Sequence, residues 1–419
     1  MQKQSGVFYG WYVVAISCLA TSTGIAPFVF ISLGLFMIPF YNEFGWTRGQ
    51  ISSIIPVLVL SLMIAQPFAG RLIDKLGTRT LLIPSTIVFG LLLAAIPIFV
   101  SEIWHLAIIF FLIGTLGVGA NTMPHMRIIS GWFNKRRGLA IGISVSGIGL
   151  GYTYVPMLLE SIISAHGWRA GYYALSLLVL FVALPLIYIF LKGSPEEMGL
   201  FADGVEPVDA NEIPQSKIGL TSAETIRKLD FWLLLFIFLF ISFNLHGLSQ
   251  HLPPMMTDRG FDSSMAAMIT SSLGLSVLVS RVLVGYLLDI YFAPRVAMLF
   301  FGLSTIGIAM FLLTSSLPLL FLAAILAGLS LGAEIDILAY LIGKYFGLRS
   351  FGEIYGLLFV GIFLGTAMGS PAFGLSFDKT GSYSSILTIA IVVNVIAVLL
   401  TTKLGPYPEQ IETQTEVSN

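Results

Sequence analysis

Apolar runs of about 20 residues recur along the whole chain and are separated by short polar loops. Because a helix rises about 1.5 Å per residue, one such run crosses roughly 30 Å, the thickness of the hydrocarbon core of a bilayer. The first run begins near Trp11 and the last ends near Lys403. The runs predict a bundle of membrane-spanning helices and exclude a water-soluble fold.

The composition agrees with a lipid environment. Hydrophobic residues make up 56 % of the 419 residues and charged residues only 10 %, whereas soluble domains carry about 25 % charged residues. The net charge of −1 argues against a nucleic-acid partner, and the single cysteine, Cys18, excludes a disulfide framework. Residues 1–5 are polar and the following apolar run is too long for a signal peptide, so we expect no cleaved signal.

Twelve helices account for the apolar runs. Gly, Pro and charge clusters bound them near residues 11–39, 50–72, 80–101, 104–130, 137–164, 169–192, 230–257, 263–288, 294–315, 318–345, 351–376 and 382–403. Thr47 and Gln50 have the spacing of a capping box that begins the second helix.

The distribution of basic residues predicts the orientation. With both termini inside, sixteen of the 21 Lys and Arg residues fall in cytoplasmic segments and four in outer loops. Basic residues accumulate in cytoplasmic loops of membrane proteins. We therefore expect a multi-pass protein of the cell (inner or plasma) membrane with both termini in the cytoplasm. The remaining cation, Arg281, lies inside a predicted helix.

Two motifs occur twice at nearly the same offset. Gly-Arg-Leu-Ile-Asp at residues 70–74 matches Gly-Tyr-Leu-Leu-Asp at 285–289, and the segment at 132–138 matches 345–352. The repetition indicates a duplicated six-helix unit. The predicted parts are an N-terminal half, a cytoplasmic linker, a C-terminal half and a cytoplasmic tail, at residues 1–192, 193–229, 230–404 and 405–419.

Residues 70–79, Gly-Arg-Leu-Ile-Asp-Lys-Leu-Gly-Thr-Arg, resemble the signature after helix 2 in the major facilitator superfamily. The resemblance extends over the whole chain and differs at Thr78, where the family usually has a basic residue. It implies an all-α membrane protein with twelve transmembrane helices in two pseudo-symmetric six-helix halves.

These loops also suggest a conformational latch. Gly70 permits close helix contact, and Asp74 can accept a charge-assisted hydrogen bond that forms in one conformation and breaks in another. The alternative is that the charges only determine topology. The expected latch residues are Gly70, Asp74, Arg79, Gly285, Asp289 and Arg137.

Three segments resemble monocarboxylate transporters and oxalate–formate antiporters. They are residues 132–151, residues 195–200, and Ser-Arg-x-x-x-Gly-x-x-x-Asp at 280–289. In the monocarboxylate family an arginine in the last segment binds the substrate carboxylate, so the resemblance implies this role for Arg281. Val277 replaces an acidic residue of animal relatives, and predicted helix 1 carries no charge. Carboxylate binding is thus better supported than any one proton relay.

The membrane position of Arg281 is itself informative. An ionisable group at this depth costs several kcal/mol unless it faces a cavity or a partner. Its guanidinium stays charged and presents a planar fork that fits a carboxylate. We expect it to bind a substrate anion; the alternative is a structural ion pair.

Glu334 and Asp336 lie on predicted helix 10 at nearly the depth of Arg281. Residues two apart point about 200° apart on a helix, so both are not expected to face one cavity. One should be the counter-ion of Arg281 or a proton site and the other should lie in a helix–helix contact. The sequence leaves open which is which, and either is a proton-coupling candidate.

Other polar side chains supply weaker candidates. Helix 7 carries Asn244 and His246 as possible substrate contacts and His251 as a possible proton site, although histidines in bundles often have only structural partners. The internal offset pairs Asn121 with Glu334 and Arg127 with Tyr340. The substrate-binding candidates besides Arg281 are Asn121, Tyr340, His246, Asn244, Phe28 and Phe359, the two phenylalanines for the apolar part of a substrate.

Together these features predict a secondary active transporter of small organic anions. The preferred activity is proton-coupled symport of a monocarboxylate such as lactate or pyruvate by alternating access. Anion exchange of the oxalate–formate type is the nearest alternative, with Arg127 as the only candidate for a second membrane cation. A non-transporting sensor or assembly subunit is an alternative of another class.

We expect no enzymatic activity, cofactor or metal. The sequence contains no nucleophile–base pair, phosphate-binding loop or metal-ligand spacing. The expected partners are a small carboxylate, a co-transported proton and the lipid bilayer, with no nucleic acid, and we expect a functional monomer.

Overall fold

A computed structural model describes residues 8–204 and 219–408. Lys3 and Lys217 are two of the sixteen basic residues that were counted as cytoplasmic, and both lie outside the described residues. Parts of the predicted linker and tail also lie outside them. The described chain is built from α-helices, as predicted. Their bounds are α1 Gly10–Ile31, α2 Arg48–Leu76, α3 Thr78–Phe99, α4 Ile103–Thr115 with Thr122–Trp132, α5 Arg137–His166, α6 Trp168–Phe190, α7 Leu229–Asp258, α8 Ser263–Ile290, α9 Ala293–Leu313, α10 Leu317–Phe346, α11 Phe351–Thr380 and α12 Ser384–Thr401.

Eleven of these helices are long and apolar enough to cross a membrane, among the described residues. The remaining one, α4, was predicted as a continuous helix over 104–130 and is interrupted. A 3₁₀ turn, Val118–Ala120, separates its two parts. Pro124 lacks an amide hydrogen, and its ring would collide with the carbonyl four residues earlier, so the helix restarts at Asn121. The Asn121 Oδ1 atom accepts a hydrogen bond from Thr122 N at 2.8 Å and caps the second part.

The first helix is irregular for the same reason. It is regular through Ser22, and Pro27 then lies in a π-helical turn, Ala26–Ile31. A short helix, Leu33–Phe44, continues it. A Cβ atom at Gly24 would lie 3.0 Å from Ala120 O, so the interruptions of α1 and α4 are in contact.

The predicted capping box at the start of α2 is confirmed. Gln50 N donates to Thr47 Oγ1 at 3.3 Å, and Thr47 N donates to Gln50 Oε1 at 2.9 Å. The first turns of α2, Arg48–Ser52, follow directly.

Two compact units make up the chain. The first comprises Met1–Phe44 and Leu60–Ala210, and the second comprises Gly45–Val59 and Asn211–Asn419. The segment Gly45–Val59 therefore packs with the second unit although the chain on both sides of it belongs to the first. The predicted linker and tail boundaries remain predictions.

In the first unit, α1 packs against α5 through small residues. Thr21 Oγ1 donates to Ser144 O at 2.7 Å, and Gly147 leaves no room for a side chain beside the backbone of Cys18. In the short helix that continues α1, Phe36 stacks on Tyr172 of α6 with ring centroids 4.0 Å apart.

In the second unit, α7 packs closely against α11. Gly361, Gly365 and Gly369 recur every four residues on α11 and lie against backbone carbonyls of α7. Helices α8 and α10 meet in the same way, because Gly332 faces Val277 O and Ser280 Oγ donates to Leu329 O at 2.5 Å. This contact holds Arg281 against α10.

Candidate functional site

Arg281 is buried in the second unit, with 8 % of its surface exposed. The close contact between α8 and α10 directs its side chain toward Asp336. Its Nη1 atom donates to Asp336 Oδ1 at 3.2 Å and to Oδ2 at 3.4 Å. Both hydrogen bonds thus use one nitrogen of the guanidinium.

The Nε atom of Arg281 is buried and has no hydrogen-bond partner among the described residues. A guanidinium can bind a carboxylate through two parallel N–H bonds, and the Nε–Nη2 edge offers one such pair of donors. The ion pair with Asp336 leaves this edge unused. Since a buried N–H without a partner costs about 1–3 kcal/mol, the arrangement favours an acceptor from outside the described residues.

Asp336 and Glu334 occupy different surroundings. The side chain of Asp336 is about one-third exposed, whereas Glu334 is 1 % exposed. Glu334 Oε1 accepts a short hydrogen bond from Ser242 of α7, and Glu334 Oε2 lies 3.7 Å from His246 Nε2. The counter-ion of Arg281 is therefore Asp336, and the carboxylate between two helices is Glu334. The sequence had left this choice open.

Tyr355 of α11 belongs to the same region and was not among the sequence candidates. It interacts electrostatically with Asp336, Arg281 and Glu334. Its ring centroid lies 5.2 Å from that of Phe359 and 5.9 Å from that of Phe351. A tyrosine in an apolar stripe is read as core from sequence, and only the neighbouring charges of α8 and α10 identify it.

Two candidates on α7, Asn244 and His251, contact residues other than Arg281. Asn244 is fully buried and donates to Asn394 Oδ1 at 3.3 Å, and Asn394 in turn donates to Phe301 O at 3.1 Å and Ser304 Oγ at 2.8 Å. These bonds join α7, α9 and α12. They describe a packing contact and not a contact with Arg281.

His251 is also fully buried, and both ring nitrogens have partners. Nε2 lies 3.0 Å from Ser370 O and Nδ1 lies 3.0 Å from Tyr383 Oη. Because a carbonyl oxygen only accepts, Nε2 carries the proton and Nδ1 accepts from the tyrosine. Burial raises the pKa of Tyr383, a residue of the loop before α12, so its hydroxyl stays protonated and donates. These bonds favour a structural role for His251 over the predicted proton site.

The first-unit candidates have local partners. Asn121 caps the second part of α4, and Phe28 is fully buried in the irregular segment of α1. Arg127 lies 3.8 Å from Asp74, and its side chain is 60 % exposed. The only candidate for a second membrane cation therefore lies at an exposed ion pair.

Tyr340 lies in the last two turns of α10. It lines a cavity of about 620 Å³ together with Asp289, Arg295 and Tyr407. Lys344 Nζ lies 5.7 Å from the Tyr340 ring centroid. Tyr340 is thus beside the expected latch residue Asp289.

The remaining latch candidates make contacts within their own units. Arg79 Nη2 donates to Tyr188 O at 2.7 Å, and Arg137 Nε donates to Ser130 Oγ at 3.0 Å. A Cβ atom at Gly70 would lie 3.1 Å from Met123 Cε, whereas Gly285 has open space. The latch role stays a prediction. Within residues 8–204 and 219–408, no group of three or more His, Cys, Asp or Glu side chains could hold a metal ion.

One protein-family model matches most of the chain. The model of the Major Facilitator Superfamily matches residues 19–294 and 234–417. Monocarboxylate transporter 13 of Rattus norvegicus is 25 % identical over 389 residues, covering 91 % of this chain and 86 % of that protein. The gallate transporter of Pseudomonas putida is 26 % identical over 394 residues, covering 84 % of this chain and 85 % of the relative.

Solved structures agree on the fold. The crystal structure of a bacterial homologue of the human lysosomal transporter Spinster, in an inward-facing and unoccupied conformation, matches with a TM-score of 0.72. It is 18 % identical, and the match covers 95 % of this chain and 97 % of that chain. The predicted all-α fold of the superfamily and the resemblance to its monocarboxylate-transporter-like branch are confirmed.

Proposed function

The chain belongs to the Major Facilitator Superfamily. We propose that it is a secondary active transporter of small organic anions and that it binds the substrate carboxylate at Arg281. Membership makes it a multi-pass membrane transporter with a small-molecule substrate, and this family is not an enzyme class. The observation that carries the proposal is the buried Nε atom of Arg281, which has no partner among the described residues.

The surroundings of Arg281 support a monocarboxylate. Asp336 already offsets part of the arginine charge, so the remaining edge suits one carboxylate. The rings of Tyr355 and Phe359 can pack against the apolar part of the substrate. Two relatives carry names that refer to carboxylates, a monocarboxylate transporter and a gallate transporter.

We assign proton coupling to Glu334 rather than Asp336. Glu334 is almost completely buried between α7 and α10, has Ser242 as a hydrogen-bond donor and lies near His246. A buried carboxylate of this kind can hold a proton in one state and release it in another. The substrate would then bind beside Arg281 and Asp336, and the proton would bind beside Glu334 and His246, all in the second unit.

The remaining proposals concern the whole protein. It functions as a monomer in the cell membrane with both termini in the cytoplasm. The basic residues of the loops support this orientation. The alternative of an organic anion exchanger of the oxalate–formate type has less support, because Arg127 lies at the exposed ion pair with Asp74.

The test is uptake by proteoliposomes. Radiolabelled lactate, pyruvate, gallate, oxalate and formate are offered with and without an inward proton gradient. We expect saturable uptake of a monocarboxylate that rises with the gradient and is lost in Arg281→Ala. Arg281→Lys keeps the charge without the planar fork and should retain only a small part of the activity.

Arg259→Lys is the matched control. Arg259 lies in the same unit and donates to backbone carbonyls, Thr314 O at 3.0 Å and Phe311 O. This variant should transport normally. Uptake that needs internal anion and ignores the gradient would favour the exchanger, and full activity of Arg281→Ala would remove the proposed anion site.

A further inference from the structure

A small cavity lies inside the first unit, where three irregular helix segments meet. Its lining comes from the interruption of α1 at Thr23 and Gly24, from the interruption of α4 at Ala120, and from a π-helical turn of α6, Leu178–Ala183. Helix α3 contributes Thr86. The cavity measures about 10 Å³, which is room for the centre of one water molecule or one bare ion. Turns of the π type are frequent at functional sites.

His125, in the first turns of the second part of α4, also lines the cavity. Only 1 % of its surface is exposed, and its Nδ1 atom is buried without a hydrogen-bond partner among the described residues. Leaving a buried polar atom unpaired is costly. The imidazole therefore favours a partner that comes from outside the described residues.

The prolines that interrupt α1 and α4 deprive two carbonyl groups of their helical partners. Pro27 has no amide hydrogen, so the carbonyl of Thr23 lacks the donor that a continuous helix would supply. Pro124 has the same effect on the carbonyl of Ala120. Thr23 and Ala120 both line the cavity, so unpaired backbone acceptors lie next to it.

The hydroxyl groups at the cavity already donate their protons to other atoms. Thr23 Oγ1 donates to Ala20 O at 3.0 Å. Thr86 Oγ1 donates to Leu82 O at 2.7 Å. The lone pairs of both oxygens remain, and the neutral imidazole with its proton on Nε2 presents Nδ1 of His125 as a further acceptor. The polar atoms at the cavity are therefore acceptors.

The ends of the interrupted helices add negative potential. The regular part of α1, Gly10–Ser22, ends at the cavity, and the C-terminal end of a helix carries roughly half a negative charge. The positive end of the restarted α4 is compensated in part, because Asn121 Oδ1 accepts from Thr122 N at 2.8 Å. The balance at the cavity thus favours a positive ligand.

We propose that the cavity beside His125 binds one Na⁺ ion. A water molecule there would leave its own lone pairs without donors, whereas a cation is satisfied by acceptors alone. None of the described residues that line the cavity is acidic, so a divalent ion would lack the carboxylates that such ions take. Carbonyls at interrupted membrane helices are suitable ligands for Na⁺. They leave no spacing pattern in a sequence, which is why no metal site was predicted.

Binding of radiolabelled Na⁺ to the purified full chain in lipid nanodiscs tests the site without a substrate. We expect saturable binding of one ion per chain, displaced by unlabelled Na⁺ and not by choline at constant ionic strength. Na⁺ at roughly ten times its Kd should also raise Tm by about 3 °C, because it binds the folded state. Binding that does not saturate in the wild type would overturn the proposal.

Thr86→Val removes one ligand oxygen and nearly keeps the shape of the side chain. It should weaken Na⁺ binding at least tenfold. Thr23→Val should do the same, and it gives the answer if Thr86→Val lowers the amount of folded protein.

Thr153→Val is the matched control. Thr153 lies in the same unit, and its Oγ1 donates to Gly149 O at 2.7 Å in the same way, but it does not line the cavity. This variant should bind Na⁺ like the wild type. Equal affinity in Thr86→Val, Thr23→Val and the wild type, or equal weakening by Thr153→Val, would overturn the site.

Glu334→Gln shows whether the ion binds at a carboxylate of the second unit instead. Loss of Na⁺ binding in Glu334→Gln, with normal binding in Thr86→Val, would overturn the site beside His125. The proposal does not rest on the transport of carboxylates. Failure of every carboxylate in the uptake assay, with Na⁺ binding that Thr86→Val weakens, would remove the anion proposal and support the Na⁺ site.

Discussion

Arg281 uses one of its terminal nitrogens for Asp336 and keeps Nε without a partner among the described residues. A purely structural ion pair between an arginine and a carboxylate more often uses the planar fork in two parallel bonds. Arg48 and Arg169 pair in that way with Asp258 and Glu43. The difference separates the proposed anion site from the arginines that hold helices together.

Asp336→Asn should strengthen substrate binding. Asp336 competes with an incoming carboxylate for the charge of Arg281, so its neutralisation should lower KM by roughly fivefold, a gain of about 1 kcal/mol. Uptake at several substrate concentrations measures this. Glu353→Gln, which changes an exposed carboxylate of the same unit that accepts from Ser222, should leave KM unchanged. A higher KM in Asp336→Asn would mean that Asp336 positions the arginine for the substrate.

Glu334→Gln should separate proton coupling from anion binding. Glutamine keeps the shape of the side chain and can still accept from Ser242, but it cannot carry a proton. We expect uptake to lose its response to the proton gradient, whereas exchange of internal for external substrate at equal pH continues.

The control for this prediction is Glu353→Gln at the start of α11. Glu353 accepts a hydrogen bond from Ser222 and is exposed, so the variant should respond normally to the gradient. Undiminished stimulation in Glu334→Gln would refute the assignment of the proton to Glu334.

The sequence indicated which residues could form a site but not how they are arranged. A lone arginine in an apolar helix indicated an anion site, because a charge at this depth is costly unless an anion or a carboxylate lies beside it. Helical periodicity showed that Glu334 and Asp336 face different ways, but the direction of each depends on how α10 is rotated against α8. The sequence could not predict the hydrogen-bond partners of Asn244 and His251, because these partners come from α12, from α11 and from the loop before α12.

At the level of helices, the stripe of glycines on α11 determines how closely α7 approaches. A Cβ atom at Gly365 would lie 2.9 Å from Phe243 N, and one at Gly361 would lie 2.7 Å from Leu235 O. Backbone atoms cannot move aside as a flexible side chain can. Glycine recurs every fourth residue in this part of the sequence, and the structure shows that these glycines face α7.

Gly365→Ala should destabilise the protein by about 1–3 kcal/mol, because the added methyl group forces α7 and α11 apart. Thermal unfolding in detergent measures this as a lower Tm. Gly356→Ala on the same helix is the control, since a Cβ atom there meets nothing within 4 Å. It should leave Tm unchanged or raise it slightly. Equal Tm values for both variants would contradict the packing argument.

The interruptions of α1 and α4 show where helix prediction from composition is limited. Both runs are predominantly apolar, so they were predicted as continuous helices. Pro27 and Pro124 then break the backbone hydrogen bonding, and Asn121 caps the restarted part of α4. Pro67 in α2 produces no such break, so a proline alone did not identify these positions.

At the level of the whole molecule, one segment belongs to a different compact unit from the residues that precede and follow it in the chain. The predicted halves follow the duplicated sequence, whereas Gly45–Val59 packs with the second unit. Nothing in the sequence of this segment indicates its packing, because Arg48 acquires its partners from Asp258 and Asp378, more than 200 positions later in the chain.

Direct binding to purified protein is the most immediate test of the claim that Arg281 anchors a carboxylate. Isothermal titration should show saturable binding of the transported monocarboxylate to the wild type and no binding of its uncharged amide. Arg281→Gln should weaken binding at least tenfold, since the charge-assisted bonds are lost, and Arg259→Lys should not. Equal binding of the acid and the amide, or unchanged affinity in Arg281→Gln, would contradict the account.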